Sequence, residues 1–347
     1  MTKNIQQSLP AEWSAQSGIM LTWPHDQGDW GERLPAIEQN YLNIVRHISH
    51  FEKVLITCRD ELHRQHIKRS LALTDAEQSR LSFYIAPSND VWVRDYGPLT
   101  VLKANKPVLY KFTFNAWGNK YSSELDNAIV TRLYNDGAFG EIELQTSKLI
   151  LEGGSIEVNG EGTLLTTTNC LLSPLRNPQL DCDLIEAMLE EVFGIEHFLW
   201  LKHGELQGDD TDGHIDTIAR FTDANTILYV SCNNENDPNF NELKNMEAEL
   251  QAFCQPDGRP YNLVALPSPE PKQDSDGRQL PATYANFLII NDAVLVPVYD
   301  DPADNVALDV IKSCFPDRKI IGINCLALVE QNGSLHCATM QLPVGVI

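Results

Sequence analysis

Between Asp209 and Asp216 the chain places four carboxylates and one imidazole within eight residues, Asp209-Asp210-Thr211-Asp212-Gly213-His214-Ile215-Asp216. An imidazole two residues from a carboxylate is a pairing that acid/base chemistry can use. Read as the start of a strand running on through Thr217 to Phe221, the segment sets His214, Asp216 and Ile218 on one face and Ile215, Thr217 and Ala219 on the other. Taken alone it reads equally as a polar turn ahead of a strand. Comparable residues recur elsewhere: Asp95 in Asn89-Asp90-Val91-Trp92-Val93-Arg94-Asp95-Tyr96-Gly97-Pro98, Glu152 in Leu151-Glu152-Gly153-Gly154-Ser155, and Cys337 in Asn332-Gly333-Ser334-Leu335-His336-Cys337.

If the fold gathers them, Asp95, Glu152, His214, Asp216 and Cys337 face one pocket. Three carboxylates in a narrow space repel one another unless a cation sits between them. A metal ion is one such cation, although the acids lack the local spacing of a metal-binding loop and His214-x-Asp216 is a weak ligand signal. A guanidinium is the other: planar, always charged, with five N–H donors that paired carboxylates grip bidentately. Cys337 offers a nucleophile and His214 an acid/base, the pair that covalent catalysis requires. His336 adjoins Cys337, and strand alternation would turn it away from the reacting side. Each residue also has a purely structural reading: a small buried thiol for Cys337, core packing for Trp92, a turn for Glu152, an ion pair for Asp95, a satisfied core imidazole for His214.

The elements that would position these residues repeat. Gly97–Phe112, Ser155–Thr166, His214–Val230 and Tyr284–Val298 each read as two β-rich segments across an Asn, Asp or Gly turn, the mark of a hairpin. A helix is expected after each, over Leu125–Tyr134, Asp183–Phe193, Phe240–Phe253 and Asn305–Phe315. A strand closes each unit: around Ile142, His197–Leu201, Tyr261–Leu266 and Lys319–Ile323. The unit recurs at roughly 60–70 residues, a period that implies modular architecture. Near the N-terminus, strand Gly18–Pro24, helix Pro35–Ile48, strand Val54–Cys58, a charged helix from Asp60 to Leu71 and strand Leu81–Ala86 form a similar unit lacking one hairpin strand. Ser334–Leu342 can supply it by returning to the N-terminus. The expectation is an α/β fold, a single domain over 1–347, with five ββαβ modules closed into a pseudo-fivefold propeller around a central pocket.

Composition narrows the function. The chain has 347 residues, 43% of them hydrophobic, enough for a large core. A net charge of −22 argues against nucleic acid and anionic membranes as partners and suits a small cation. No apolar run reaches membrane-spanning length, and Met1 to Gln7 lacks the apolar core of a signal peptide. Eight scattered cysteines without a C-x-x-C pair fit reduced thiols in a cytoplasmic enzyme.

At these motifs the sequence resembles the agmatine deiminase family, also described as bacterial peptidylarginine deiminase-like, among the guanidino-group-modifying enzymes. The resemblance rests on Trp92-Val93-Arg94-Asp95-Tyr96-Gly97-Pro98, Phe114-Asn115-Ala116-Trp117-Gly118, Leu151 to Ser155, Gly213-His214-Ile215-Asp216 and Gly333 to Cys337. Leu9-Pro10-Ala11-Glu12-Trp13, Thr22-Trp23-Pro24, Asn169-Cys170-Leu171-Leu172 and Arg176-Asn177-Pro178 add to it, so it covers nearly the whole chain in order. It implies a five-module propeller and hydrolysis of agmatine to N-carbamoylputrescine and ammonia, on the route from arginine to putrescine and the polyamines. By the same resemblance Cys337 is the nucleophile and His214 the general acid/base. Asp95 and Asp216 bind the guanidinium, Glu152 supports it and His214, and Asp210 and Trp92 contact the substrate. No cofactor and no metal are implied, and a homo-oligomer is compatible. Two departures stand out: the compact acidic run Asp209 to Asp212, and Gly333-Ser334-Leu335 where the family commonly has Gly-Gly-Asn-Ile. Deimination of peptidylarginine or another arginine derivative is the alternative activity, with metal-dependent hydrolysis and non-catalytic binding of polyamine-like cations as further ones.

Overall fold

The structure is a computed structural model that describes residues 7–347. Five sheets of three or four strands carry the chain, and four share one plan: an antiparallel hairpin whose second strand pairs in parallel with a third. Gln7–Ser8, Leu99–Lys103, Lys106–Thr113 and Leu144–Ile150 make the first of these. Ile156–Val158, Thr163–Thr167 and His197–Leu201 make the next. Ala219–Asp223, Thr226–Val230 and Asn262–Leu266 follow, then Leu288–Ile290, Ala293–Val298 and Lys319–Asn324. In each unit a helix crosses from the hairpin to the parallel strand: Asp126–Asn135, Cys182–Phe193, Phe240–Ala252 and Asp304–Cys314. A parallel pairing needs such a crossover.

The remaining sheet joins the two ends of the chain. Gln16–Thr22 pairs in parallel with Lys53–Cys58, which pairs in parallel with Leu81–Ile85. Met340–Pro343 returns to lie antiparallel on Gln16–Thr22, with Met340 opposite Met20 and Leu342 opposite Gly18. The expected return of the C-terminal segment therefore occurs, but only Met340–Pro343 is strand; residues 335–338 form a turn. A small antiparallel ribbon, Lys272–Gln273 with Gln279–Leu280, stands outside the repeat.

The helices follow their apolar spacing. In Leu34–Ser49 the side chains of Ile37, Tyr41, Ile44, Val45 and Ile48 are all buried, the i, i+4, i+7 stripe of a core-facing helix. Caps close two helices where the sequence offers an Asp. Asp60 accepts from the His63 N–H at 2.9 Å and Asp181 from the Leu184 N–H at 3.0 Å.

Two expectations are corrected. The strand sought around Ile142 lies at Leu144–Ile150; its Leu-Gln-Thr-Ser-Lys-Leu-Ile sequence is largely half-exposed at a sheet edge, so no apolar run marks it. The strand read from His214 begins only at Ala219, because residues Ile215–Thr217 form a 3-10 turn. The Thr217 hydroxyl donates to the His214 carbonyl at 2.7 Å, a local bond that competes with strand pairing. No helix among the described residues is long and apolar enough to cross a membrane.

Candidate active site

Three segments that directly precede hairpin strands, and the turn after the last helix, bring the chemistry together. Asp95 sits on the short helix Val93–Tyr96. The loop before it is pinned by Asp126, whose Oδ1 accepts from the Asn89 and Asp90 N–H groups at 2.7 and 3.2 Å. The Arg94 N–H donates to the Cys337 carbonyl at 3.2 Å, tying this helix to the turn that carries Cys337. Gly333 lets that turn lie on Trp92: a Cβ there would stand 2.3 Å from the indole ring.

Gly154 marks the centre of the cluster. A Cβ at this position would lie 2.7 Å from His214 Nδ1, 2.9 Å from Asp95 Oδ1 and 3.1 Å from Asp216 Oδ2. Its own N–H donates to Asp95 Oδ1 at 2.9 Å, and Trp117 Nε1 donates to Asp95 Oδ2 at 2.9 Å. Trp117 reaches that oxygen from a left-handed backbone (φ 53°), an unusual conformation for a bulky residue. His214 Nδ1 is 3.6 Å from Asp95 Oδ1, and its Nε2 is 3.9 Å from Glu152 Oε2. Cys337 Sγ is 3.7 Å from Asp216 Oδ2 and receives the Asn286 amide at 3.2 Å. Thus Cys337, His214, Glu152, Asp95 and Asp216 converge, although His214 and Asp216 do so from a turn rather than from one strand face.

Asp95, Trp92, Asp210 and Cys337 line a cavity of about 1100 Å³. His214, Glu152 and Asp216 are fully buried behind its wall. Glu152 turns toward Arg176, whose Nε lies 2.9 and 2.8 Å from its two oxygens. The acidic run separates into distinct tasks. Asp209 ties its own loop, accepting from Thr211 and Gly213. Asp212 pairs with Arg176 at 2.5 Å and Lys120 at 2.8 Å. Asp210 faces the cavity and takes bonds from Tyr121 at 2.9 Å and Asn332 at 3.0 Å.

The electrostatics are uneven across the site. Burial pushes the Asp95 carboxyl up to about 6, with Asp216 and Glu152 adding to the rise and His214 opposing it. Burial acts the same way on Glu152 and Asp216, yet His214 and Arg176 hold Glu152 below the usual carboxylate range, and His336, His214 and Arg220 do so for Asp216. Burial opposes the charged form of His214, but Asp95 and Glu152 raise it well above an ordinary histidine. The Cys337 thiol is pushed far up, first by burial, then by Asp216 and Asp95. Farther out, burial lifts Asp90 to about 7, with Asp29 and Asp210 among the charges that add to it.

Among the described residues, His214 Nδ1, His214 Nε2 and Asp216 Oδ1 are buried without a hydrogen-bond partner. Such atoms are costly unless something completes them. A planar cation with several N–H donors has the chemistry to complete Asp216 Oδ1. Glu152, Cys170 and His214 also bring a carboxylate, a thiol and an imidazole within 4.8 Å of one another, a grouping of metal-ligand type. The Glu152 carboxylate in that trio is already bound by the Arg176 guanidinium on both oxygens.

Sequence reasoning missed several contributors. Trp117 and Arg176 lay in recognised motifs without an assigned task, and so did Glu12. Asn286 carried no signal, because Ala285-Asn286-Phe287 reads as an ordinary approach to a strand. The strand alternation applied to His336 does not hold, since the residue lies in a turn and its Nδ1 meets Asp216 at 2.7 Å.

The chain matches the Porphyromonas-type peptidyl-arginine deiminase family over residues 8–343. A protein of Stutzerimonas stutzeri named agmatine deiminase is 32% identical over 362 residues, covering 96% of this chain and 95% of its own. A solved cysteine-to-serine variant of the C. jejuni agmatine deiminase with substrate bound superposes with a TM-score of 0.91 at 38% identity, covering 98% of this chain and 97% of that one. The agmatine deiminase of Enterococcus faecalis superposes with a TM-score of 0.87 at 28% identity, over 97% of this chain and 96% of that one.

Proposed function

Because the chain belongs to the Porphyromonas-type peptidyl-arginine deiminase family, we propose that it is an agmatine deiminase, hydrolysing agmatine to N-carbamoylputrescine and ammonia on a route to putrescine. The observation that carries the reading is the buried Asp216 Oδ1 without a partner, set with both free His214 nitrogens around Cys337 and Asp95. The resemblance of the named relatives supports it. We also read the five sheets as blades of a pseudo-fivefold propeller in one domain over 1–347, supported by the hairpin-helix-strand plan that four of them share.

In this mechanism the guanidinium lies between Asp95 and Asp216, which orient it and offset its charge. Its arrival also favours the Cys337 thiolate: the two carboxylates that raise the thiol are neutralised by the bound cation. The thiol passes its proton to solvent in the cavity as the sulfur attacks the central guanidinium carbon. His214, held cationic by Asp95 and Glu152, donates a proton to the departing ammonia. The resulting S-alkylthiouronium is then attacked by water, with neutral His214 taking the proton and the Cys337 thiol released. Glu152, clamped by Arg176, steadies His214 from behind. Trp92 and Asp210 line the approach, and the wall with Asp29, Asp90 and Asp210 suits the distal ammonium of agmatine.

Peptidylarginine is the second reading, favoured by the breadth of the cavity, which exceeds what one agmatine fills. The test of the mechanism is Cys337→Ser. It is expected to bind agmatine by calorimetry and release no measurable ammonia. Near-normal release from that variant would overturn the assignment.

A further inference from the structure

The segment Leu9-Pro10-Ala11-Glu12-Trp13 and the histidine beside Cys337 have no part in the chemistry above, yet they meet directly beneath it. His336 Nδ1 lies 2.7 Å from Asp216 Oδ2, and its Nε2 lies 2.7 Å from Glu12 Oε2. Both contacts are hydrogen bonds to carboxylates when both ring nitrogens carry protons. Glu12 is itself fixed. Its Oε2 accepts from Arg220 Nη2 at 2.8 Å and its Oε1 from the Ile289 N–H at 2.7 Å, with Arg94 Nη2 at 3.9 Å. Arg220 is held on its other side by Glu157 at 2.8 Å. The backbone of His336 is held as well: its N–H donates to Asn286 Oδ1 at 2.9 Å, and the same Asn286 gives its amide to Cys337 Sγ. All of these groups are buried.

A line therefore runs from Glu12 through His336 to Asp216 and ends at Cys337. Its effect falls on the Asp216 carboxylate. His336 occupies Oδ2, which is also the oxygen 3.7 Å from Cys337 Sγ, and this leaves Oδ1 as the free acceptor. Without that bond the carboxylate can rotate about its terminal torsion, which is intrinsically broad. The charged and titratable groups facing Asp216 are His336, His214, Arg220, Arg94, Asp95 and Cys337. Those facing Glu12 add Glu157, Glu52 and Arg318. Burial favours protonation of Asp216, and among the opposing contributions the hydrogen bond from His336 is the largest.

We propose that His336, anchored by Glu12, is a positioning residue for the deimination, fixing the Asp216 carboxylate so that Oδ1 stays free for the substrate guanidinium. The assignment rests on the deiminase reading. It separates the two neighbours in sequence: Cys337 reacts, and His336 sets the group that holds the substrate for it.

The test uses two amides of different reach. The amide nitrogen of Asn stands near the place of imidazole Nδ1, so His336→Asn keeps a donor for Asp216 and loses the bond to Glu12. The amide nitrogen of Gln stands near the place of Nε2, so His336→Gln does the reverse. Ammonia release from agmatine is measured against substrate concentration and pH, with thermal melts alongside. His336→Gln is expected to raise KM about 10- to 100-fold with kcat little changed, the loss of one hydrogen bond to a charged group. His336→Asn is expected to stay within about tenfold of wild type in KM, even if both variants melt lower. Equal KM in both variants, a loss confined to kcat, or unaltered kinetics in His336→Gln would overturn the proposal. If His336→Gln does not fold, Glu12→Gln carries the test through the same rise in KM, and a wild-type KM there overturns it too. Wild-type protein that releases no ammonia fails the deiminase reading and this proposal with it, an outcome distinct from an active wild type with indifferent variants.

Discussion

Removing Arg176 tests how the floor of the site is held. The guanidinium is fully buried. Its Nε faces both Glu152 oxygens at 2.9 and 2.8 Å, Nη1 donates to Asp212 at 2.5 Å, and Nη2 to the Thr211 carbonyl at 2.8 Å. Arg176→Met keeps much of the stem volume and removes every one of these bonds. Glu152 is then a buried carboxylate facing Asp95 without its guanidinium. Breaking a buried pair from one side costs ~3–5 kcal/mol. Unfolding entropy of about 2.1 cal/mol/K per residue gives ~730 cal/mol/K for a chain of 347 residues. Tm should therefore fall by roughly 4–7 °C. Arg176→Met/Glu152→Met removes both charges together, and exchanging a buried pair for apolar groups is close to neutral. The double variant should thus regain at least half of the lost Tm while remaining inactive. Circular-dichroism melts give stability, and ammonia release from agmatine gives activity. A double variant no more stable than the single one would refute the claim that a stranded carboxylate causes the loss. A single variant with wild-type Tm would refute the clamp itself.

Gly154→Ala should abolish activity with little effect on expression, because its Cβ would enter the space between His214 Nδ1 and Asp95 Oδ1; wild-type kcat/KM in this variant would contradict the geometry. Trp117→Phe removes one of the two N–H donors on Asp95 and should lower kcat/KM about tenfold at neutral pH, measured by the same assay. Because burial holds Asp95 up at about 6 and the proposed mechanism needs its anion to grip the guanidinium, kcat/KM should climb on the acid side through about pH 6, and Asp95→Asn should lose activity at every pH. The sign for stability is the opposite. The native Asp95 carboxyl keeps its proton to about 6, whereas the unfolded one releases it near 3.9. Its contribution is therefore most favourable below about pH 4 and falls as pH rises to about 6. Asp95→Asn should flatten that part of the Tm profile, and an unchanged profile would contradict the assignment.

The repeat was legible because each unit states its parts locally. Turns such as Ala104-Asn105 and helices such as Phe240–Ala252 follow from short-range chemistry, and their ends fall within a residue or two of expectation. The strand Leu144–Ile150 was not, since an edge strand with one wet face needs no apolar run. The candidate site residues that the fold brings together were legible as acids, a histidine and a cysteine at recurring places. Their supports were not: the side-chain hydrogen-bond partners of Arg176, Trp117 and His336 lie 24, 22 and 120 positions away or more, so no local pattern encodes them. The strand-face argument for His214 and His336 failed for one reason in both places. Side-chain and turn hydrogen bonds replaced the extended backbone on which alternation depends.

The most direct measurement of the central claim is ammonia release by the purified full chain with agmatine, free arginine and a blocked arginine peptide side by side, with EDTA present. The expected result is turnover of agmatine far above the other two and undiminished by EDTA. Preference for the peptide or for arginine would contradict the substrate, and absence of ammonia from all three by a folded chain would contradict the deiminase account.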